Sequence, residues 1–103
     1  MMTKVVSLVS TEQGFSVQGS VSFANAVELR AHGEQLMGGI TSTCEIDLSL
    51  MRDQDASSVS LLLCWMRFAQ KTGKTIQFTH ASFSLVRMQK LFGLEKIIQL
   101  ARS

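Results

Sequence analysis

The residues best suited to chemistry gather in one run, Asp53-Gln54-Asp55-Ala56-Ser57-Ser58, directly before the apolar stretch VSLLLCWMRFA that holds the single Trp of the chain. Two carboxylates and two hydroxyls at the mouth of such a stretch admit four readings: a nucleophilic elbow, a phosphate cradle, a helix cap or a docking surface. The elbow needs G-x-S-x-G and a histidine oriented by an acid. The motif is absent, and His32 falls in a predicted helix and His80 at the end of a predicted strand, neither with an evident orienting acid. A nucleotide cradle needs a Gly-Lys-Ser/Thr ending that GGITSTC lacks. Capping is the commonest use of such residues, because the side-chain oxygens of Asp55, Ser57 and Ser58 suit the unpaired amides of a first helical turn. A phosphoryl group on Ser57 would meet the positive end of the helix and the negative charge of Asp55, which makes a charge switch a physical option.

Cys44 and Cys64 each sit in an apolar pattern, outside any C-x-x-C or Cys/His cluster, so both read as buried reduced thiols; no metal and no cofactor is expected. Ten basic and eight acidic residues leave a formal charge of +2, too little for electrostatic capture of nucleic acid. Arg87, Lys90, Lys96 and Arg102 make the last quarter basic, which reads as a solvated helix face or as a face for phosphates or an acidic partner. The chain is 103 residues long, 46% hydrophobic and 17% charged, which suits one globular domain with one core. No apolar run reaches the ~18 residues of a membrane span, and Met1 to Ser10 lacks the apolar core of a signal peptide, so a soluble cytoplasmic domain is expected.

The elements that must position these residues follow from periodicity. Lys4 to Val9 and Gly14 to Phe23 alternate as two strands of a hairpin turned around Glu12 to Gly14. Asn25 to Met37 reads as a helix ended by Gly38-Gly39 in a left-handed cap. Cys44 to Leu50 alternates as a third strand, Met51 to Asp55 as a loop, and the long apolar segment as a second helix ended by Thr72-Gly73. Thr75 to Thr79 is a fourth strand, Ser82 to Phe92 a third helix stopped at Gly93, and Leu94 to Leu100 a short closing element. Alternating strands and helices imply parallel pairing through right-handed crossovers, hence an α/β fold with a mixed sheet of four to five strands covered by three to four helices.

On the second helix, Phe68, Leu61, Trp65, Ala69, Leu62, Met66, Val59 and Leu63 span about 220°, against the ~100° of a one-sided helix. Such a helix is either wedged between the sheet and a neighbouring helix or carries a second stripe, Leu61, Trp65 and Phe68, that faces another protein or a second copy of the chain.

The run IDLSLMRDQDASSVSLLLCWMRFAQKTGKTIQF followed by SLVRMQKLFGL resembles the STAS domain, the family of sulfate-transporter tails and anti-sigma-factor antagonists. The likeness rests on Asp47 in the strand, on Asp55-Ala56-Ser57-Ser58-Val59 where the family has Asp-Ser/Thr-Ser/Gly-Gly-Leu, on Lys71-Thr72-Gly73, and on Leu91-Phe92-Gly93-Leu94. Val59-Ser60-Leu61-Leu62-Leu63 is similar to the Leu-rich run of the MlaB type, the STAS subunit of a bacterial phospholipid-trafficking ABC transporter. That resemblance implies a non-enzymatic subunit that binds and supports the transporter ATPase at the cytoplasmic side of the inner membrane, peripheral through its partners and without membrane insertion. The contact implied is the helix start, Asp53, Asp55, Ala56, Ser57 and Ser58, with Leu61, Trp65 and Phe68. The anti-sigma-factor-antagonist branch instead implies phosphorylation of Ser57. Ala56 departs from both branches, which carry Ser or Thr there, and Ser57 and Ser58 replace their usual small Gly-Gly pair.

Overall fold

A computed structural model of the chain describes residues 6–41, 43–53, 56–91 and Gly93. Strand β1 (Ser7–Ser10) turns back antiparallel onto β2 (Gly14–Val21), with Leu8 opposite Val17 and Ser10 opposite Phe15. Helix α1 (Ala26–Gly38) follows, then β3 (Cys44–Asp47), β4 (Met51–Asp53), α2 (Ser57–Lys71), β5 (Ile76–Thr79) and α3 (Phe83–Leu91). The sheet runs β1-β2-β3-β5, with β4 also paired to β2, and every pairing except β1 with β2 is parallel. The expected mixed sheet is therefore present, with five strands and three helices among the described residues. The closing element expected at Leu94 to Leu100 lies outside them.

Several local outcomes differ from the sequence reading. The alternation from Cys44 to Leu50 continues as one strand would, yet the chain turns at Leu48–Leu50. The Asp47 carboxylate accepts the Ser49 amide at 2.9 Å, and the Met51 amide donates to the Leu48 carbonyl at 3.1 Å, so a side-chain-directed turn interrupts the pattern. The residues expected as loop, Met51 to Asp53, then form β4 against the far half of β2. Strand β2 accommodates the change of partner at Gly19, whose φ of 112° is open only to glycine at low cost and whose amide donates to the Leu50 carbonyl at 3.0 Å. Finally, α1 ends without the left-handed cap: Gly39 is right-handed at φ −88°, its amide bonded to the Leu36 carbonyl at 3.2 Å. Left-handed glycines do stop the other two helices, Gly73 at φ 72° and Gly93 at φ 68°.

Strand β2 stops at Val21 and not at Phe23 because Asn25 folds the chain into α1. Its side-chain oxygen accepts the Ser22 amide at 2.9 Å and its amide group donates to the Ser20 carbonyl at 3.0 Å. At the start of α3 the Ser82 hydroxyl accepts the Leu85 amide at 3.0 Å, the hydroxyl cap that the residue type predicts.

Register explains the core. Phe15, Ile46 and Phe78 are partners across β2, β3 and β5, so they form one row on one face, and all three are buried. The intervening rows, Gly14-Glu45-Gln77 and Ser16-Asp47-Thr79, fall on the opposite, polar face. Trp65 of α2 stands edge-on over Phe15, ring centroids 5.2 Å apart and planes at 82°, which fixes α2 on the apolar face. On its other side the indole N–H donates to the Arg30 carbonyl of α1 at 3.2 Å. The indole also lies on Gly33: a Cβ at that position would come within 2.5 Å of the ring. A glycine in mid-helix, costly by propensity alone, is what lets α1 and α2 close over the tryptophan.

Leu61 and Trp65 are thus sealed inside the chain at 2% and 0% exposure, which corrects the expectation of a second, partner-facing stripe. The arc of about 220° is used twice within the monomer, once against the sheet and once against α1, so neither a partner nor a second copy reaches these two residues. Phe68 is half-buried and packs at the margin of the core.

Candidate partner-binding site

The site implied by the sequence sits where the chain leaves the sheet. Parallel pairing places Val21 of β2 beside Asp53 of β4, so both strands end side by side. Two residues past Val21 stands Phe23, and three past Asp53 stands Ala56 at the start of α2, a reach of roughly 7–10 Å from each strand end. Phe23 is 85% exposed and Val27, on the first turn of α1, 71% exposed. Leu50, in the turn before β4, is 57% exposed. Phe23 and Val27 stand together at the start of α1 with large apolar side chains in water, as docking surfaces do, whereas Leu50 lies beside Gly19 at the other end of β4. Sequence reasoning missed Phe23 because the β2 alternation counted it as an inward strand residue. The available signal was Val27 four residues later, which places a second apolar side chain on the turn that Asn25 starts.

The first turn of α2 differs from the expected cap. Ala56 is the N-cap and offers no side-chain bond, while Ser57 and Ser58 are the first two helical residues. Ser57 is half-buried and engaged by a neighbour. Ser58 is fully buried, and its hydroxyl has no hydrogen-bond partner among the described residues. Of the expected site residues, Ala56 and Ser57 therefore reach the surface at this end, Ser58 does not, and Leu61 and Trp65 belong to the core. Asp55 lies outside the described residues, and Asp53 is described only through its strand pairing.

Asp47 has a partner that the sequence did not disclose. His80 takes a left-handed backbone, φ 60°, and brings its Nδ1 to 3.3 Å from the Asp47 carboxylate, correcting the expectation that this histidine lacks an orienting acid. Partial burial pushes the Asp47 carboxyl upward, but the Ser49 amide and hydroxyl and the His80 ring outweigh it and hold the group below its ordinary value. The cavity beside the pair is lined by Thr11, Glu12, Gln13, Glu45 and Thr79. Asp47 and His80 fasten the β3–β4 turn to the β5–α3 turn. Among the described residues no group of three or more His, Cys, Asp or Glu is arranged to hold a metal, and no helix is long and apolar enough to cross a membrane.

Comparison with known proteins agrees with this architecture. The family described as "Mlab, STAS domain" matches residues 6–100, nearly the whole chain. The chain belongs to the STAS domain family. Among solved structures it is similar to the unphosphorylated anti-sigma factor antagonist SpoIIAA, with a TM-score of 0.69 at 16% identity, covering 96% of this chain and 90% of that one. An anti-sigma factor antagonist from Mycobacterium paratuberculosis gives 0.69 at 16% identity, over 98% and 87% of the two chains. A STAS domain protein from Planctomyces limnophilus gives 0.66 at 13% identity, over 95% and 90%. No curated protein matches the sequence. At such identities the likeness to solved structures establishes the fold, a five-stranded mixed sheet with its helices.

Proposed function

We propose that this chain is a non-enzymatic STAS subunit that binds the ATPase of a lipid-trafficking ABC transporter and supports it at the cytoplasmic side of a bacterial inner membrane. The observation that carries the reading is the exposed pair Phe23 and Val27 at the start of α1, which follows the strand end paired with Asp53. The match of residues 6–100 to the MlaB-type family supports the choice of partner. The contact comprises Phe23, Val27, Ala56 and Ser57, with Asp53 and Asp55 supplying negative charge from the same chain segment. Burying one large apolar side chain of this kind contributes roughly 1.5–3 kcal/mol, so the pair suffices as an anchor around which polar contacts set specificity. The mechanism is mechanical: a rigid sheet end holds the ATPase in its assembled geometry, and the chain itself performs no chemistry.

The test is copurification of the tagged chain with its ATPase and permease. Phe23→Asp abolishes the complex while leaving the melting temperature within a few degrees, because Phe23 is in water in the free chain. Retention of the full complex in Phe23→Asp refutes the surface, and failure of the unaltered chain to retain any ATPase refutes the partner. Trp65→Asp is unsuited to this test, since it buries a charge in the core and unfolds the domain.

A second reading, a phospho-switch of the anti-sigma-factor-antagonist type acting at Ser57, is favoured by the fold likeness to SpoIIAA and by the position of Ser57 as the first residue of α2. A phosphoryl group there adds negative charge at the positive helix end. A kinase-dependent mass gain of one phosphoryl group at Ser57, with release of a bound partner, would reverse the order of the two readings.

A further inference from the structure

The second half of α2 forms one wall of a groove that the partner-binding end does not use. The groove has a volume of about 640 Å³ and is lined by Arg30 and Glu34 of α1 and by Cys64, Arg67, Phe68 and Lys71 of α2. Its size falls within the ~300–1,000 Å³ usual for small-molecule sites. Three cations against one carboxylate leave two positive charges in excess, as much as the formal +2 of the whole chain, so the remainder of the chain is neutral. Stability does not account for this concentration. Arg67 and Lys71 are one turn apart on the same helix, an arrangement that costs roughly 0.2–0.5 kcal/mol by repulsion, and neither has a carboxylate partner among the described residues. Lys71 gains from the negative end of α2, but Arg67 stands a turn further in, where that field has faded. Arg30 meets Glu34 only at 3.9 Å and is half exposed, which leaves most of its donor fork open. Between the charges the floor is soft and apolar, with Phe68 half-buried and the Cys64 thiol beside it.

We infer that this groove binds a phosphate ester with a short apolar substituent: Arg30, Arg67 and Lys71 hold the phosphoryl oxygens while Phe68 and Cys64 pack the substituent. Two guanidinium forks and an ammonium, converging from two helices, match an anion with several oxygens better than a single carboxylate. The site is independent of the partner surface. Ser57 and Lys71 are separated by about 21 Å along α2, at 1.5 Å per residue.

The test reads the rate of maleimide labelling of Cys64 in the full chain by mass spectrometry, with buried Cys44 as an internal control. Hexyl phosphate is the probe, hexanol and sodium chloride at equal ionic strength the controls. Hexyl phosphate is expected to slow labelling saturably and the controls not at all. Arg67→Gln or Lys71→Gln weakens the protection about ten-fold each, the loss of one charge-assisted contact, and the double charge reversal R67E/K71E removes it. Both positions are exposed, so the neutral variants keep their fold even if the reversal does not. Protection by vesicles of phosphatidic acid in phosphatidylcholine identifies a lipid headgroup as the source; protection by hexyl phosphate alone identifies a soluble ester. The inference is overturned if hexanol or salt protects equally, if protection survives in R67E/K71E, or if an oligoglutamate peptide protects where hexyl phosphate does not.

Discussion

Replacing Gly33 by alanine sets two physical effects against each other. In an isolated helix Ala is favoured over Gly by about 1 kcal/mol. Here the added methyl would sit 2.5 Å from the indole Cζ2 and closer still to Cε2 and Nε1, where carbon contacts settle at about 3.5–4.0 Å. The indole is fully buried between Phe15 and α1, so it cannot swing into water to make room. Relief by parting the helices forfeits the bond from the indole N–H to Arg30, and a buried donor left unmade costs about 1–3 kcal/mol. Relief by rotating the ring spoils the edge contact with Phe15, about 0.5–1.5 kcal/mol, on top of about 1–3 kcal/mol of overpacking. Subtracting the helix gain leaves a net loss of up to about 2 kcal/mol by parting the helices and of about 0.5–3.5 kcal/mol by rotating the ring, a fall in melting temperature of up to roughly 17 °C for a domain of this size. Urea unfolding followed by far-UV circular dichroism measures it. In a Trp65→Phe background the clash shrinks, and Gly33→Ala should then cost at least about 1 kcal/mol less. Equal or greater stability of Gly33→Ala in the unaltered background refutes the packing account and leaves helix propensity as the controlling effect.

Ser58→Ala removes a buried hydroxyl that has no partner among the described residues and is expected to stabilise by about 1 kcal/mol in the same urea assay; a loss of that size would reveal a bond the hydroxyl makes. For Asp47, the folded group titrates below its ordinary value of 3.8, so the stability it contributes is present above that pH and lost as pH falls through the lower folded value. Asp47→Asn should therefore be less stable than the parent at pH 6 and approach it as pH falls below 3.8 through the lower folded value, and parallel curves across that fall refute the linkage. The Cys44 thiol is pushed up to about 11, first by burial and then by Glu45, with Lys74 opposing. One thiol equivalent, Cys64, should react with a disulfide reagent in the folded chain and the second only on unfolding; two fast equivalents contradict the burial of Cys44.

Much of this fold was legible because its apolar periods are clean. The Cys44-Ile46 alternation, the Gly73 and Gly93 stops and the arc around Trp65 each named an element correctly. The split of β3 from β4 was hidden because the turn is made by the Asp47 side chain within an unbroken alternation, and no period registers a side-chain hydrogen bond. The fate of the Trp65 stripe was hidden for another reason. An apolar arc reports how much must be covered but not by what, and the cover, Gly33 of α1, reads locally as a weak helix position. Near the candidate site, the start of α2 at Ala56 and Ser57 was legible from the polar run before the apolar segment. Phe23 was not, since its exposure depends on where Asn25 ends the strand.

Strand β2 is bonded along both edges: one to β1, the other first to β3 and then, beyond Gly19, to β4. Its amides should be the last to exchange with deuterated solvent, since releasing them requires most of the sheet to open at once. The β1–β2 hairpin, ending at Val21, also leaves the ribosome 23 residues before β3 begins at Cys44, so a local ribbon waits as the template onto which the later, parallel strands dock. Slow closure of those long connections, and not formation of the hairpin, should set the pace at which the newborn chain becomes native.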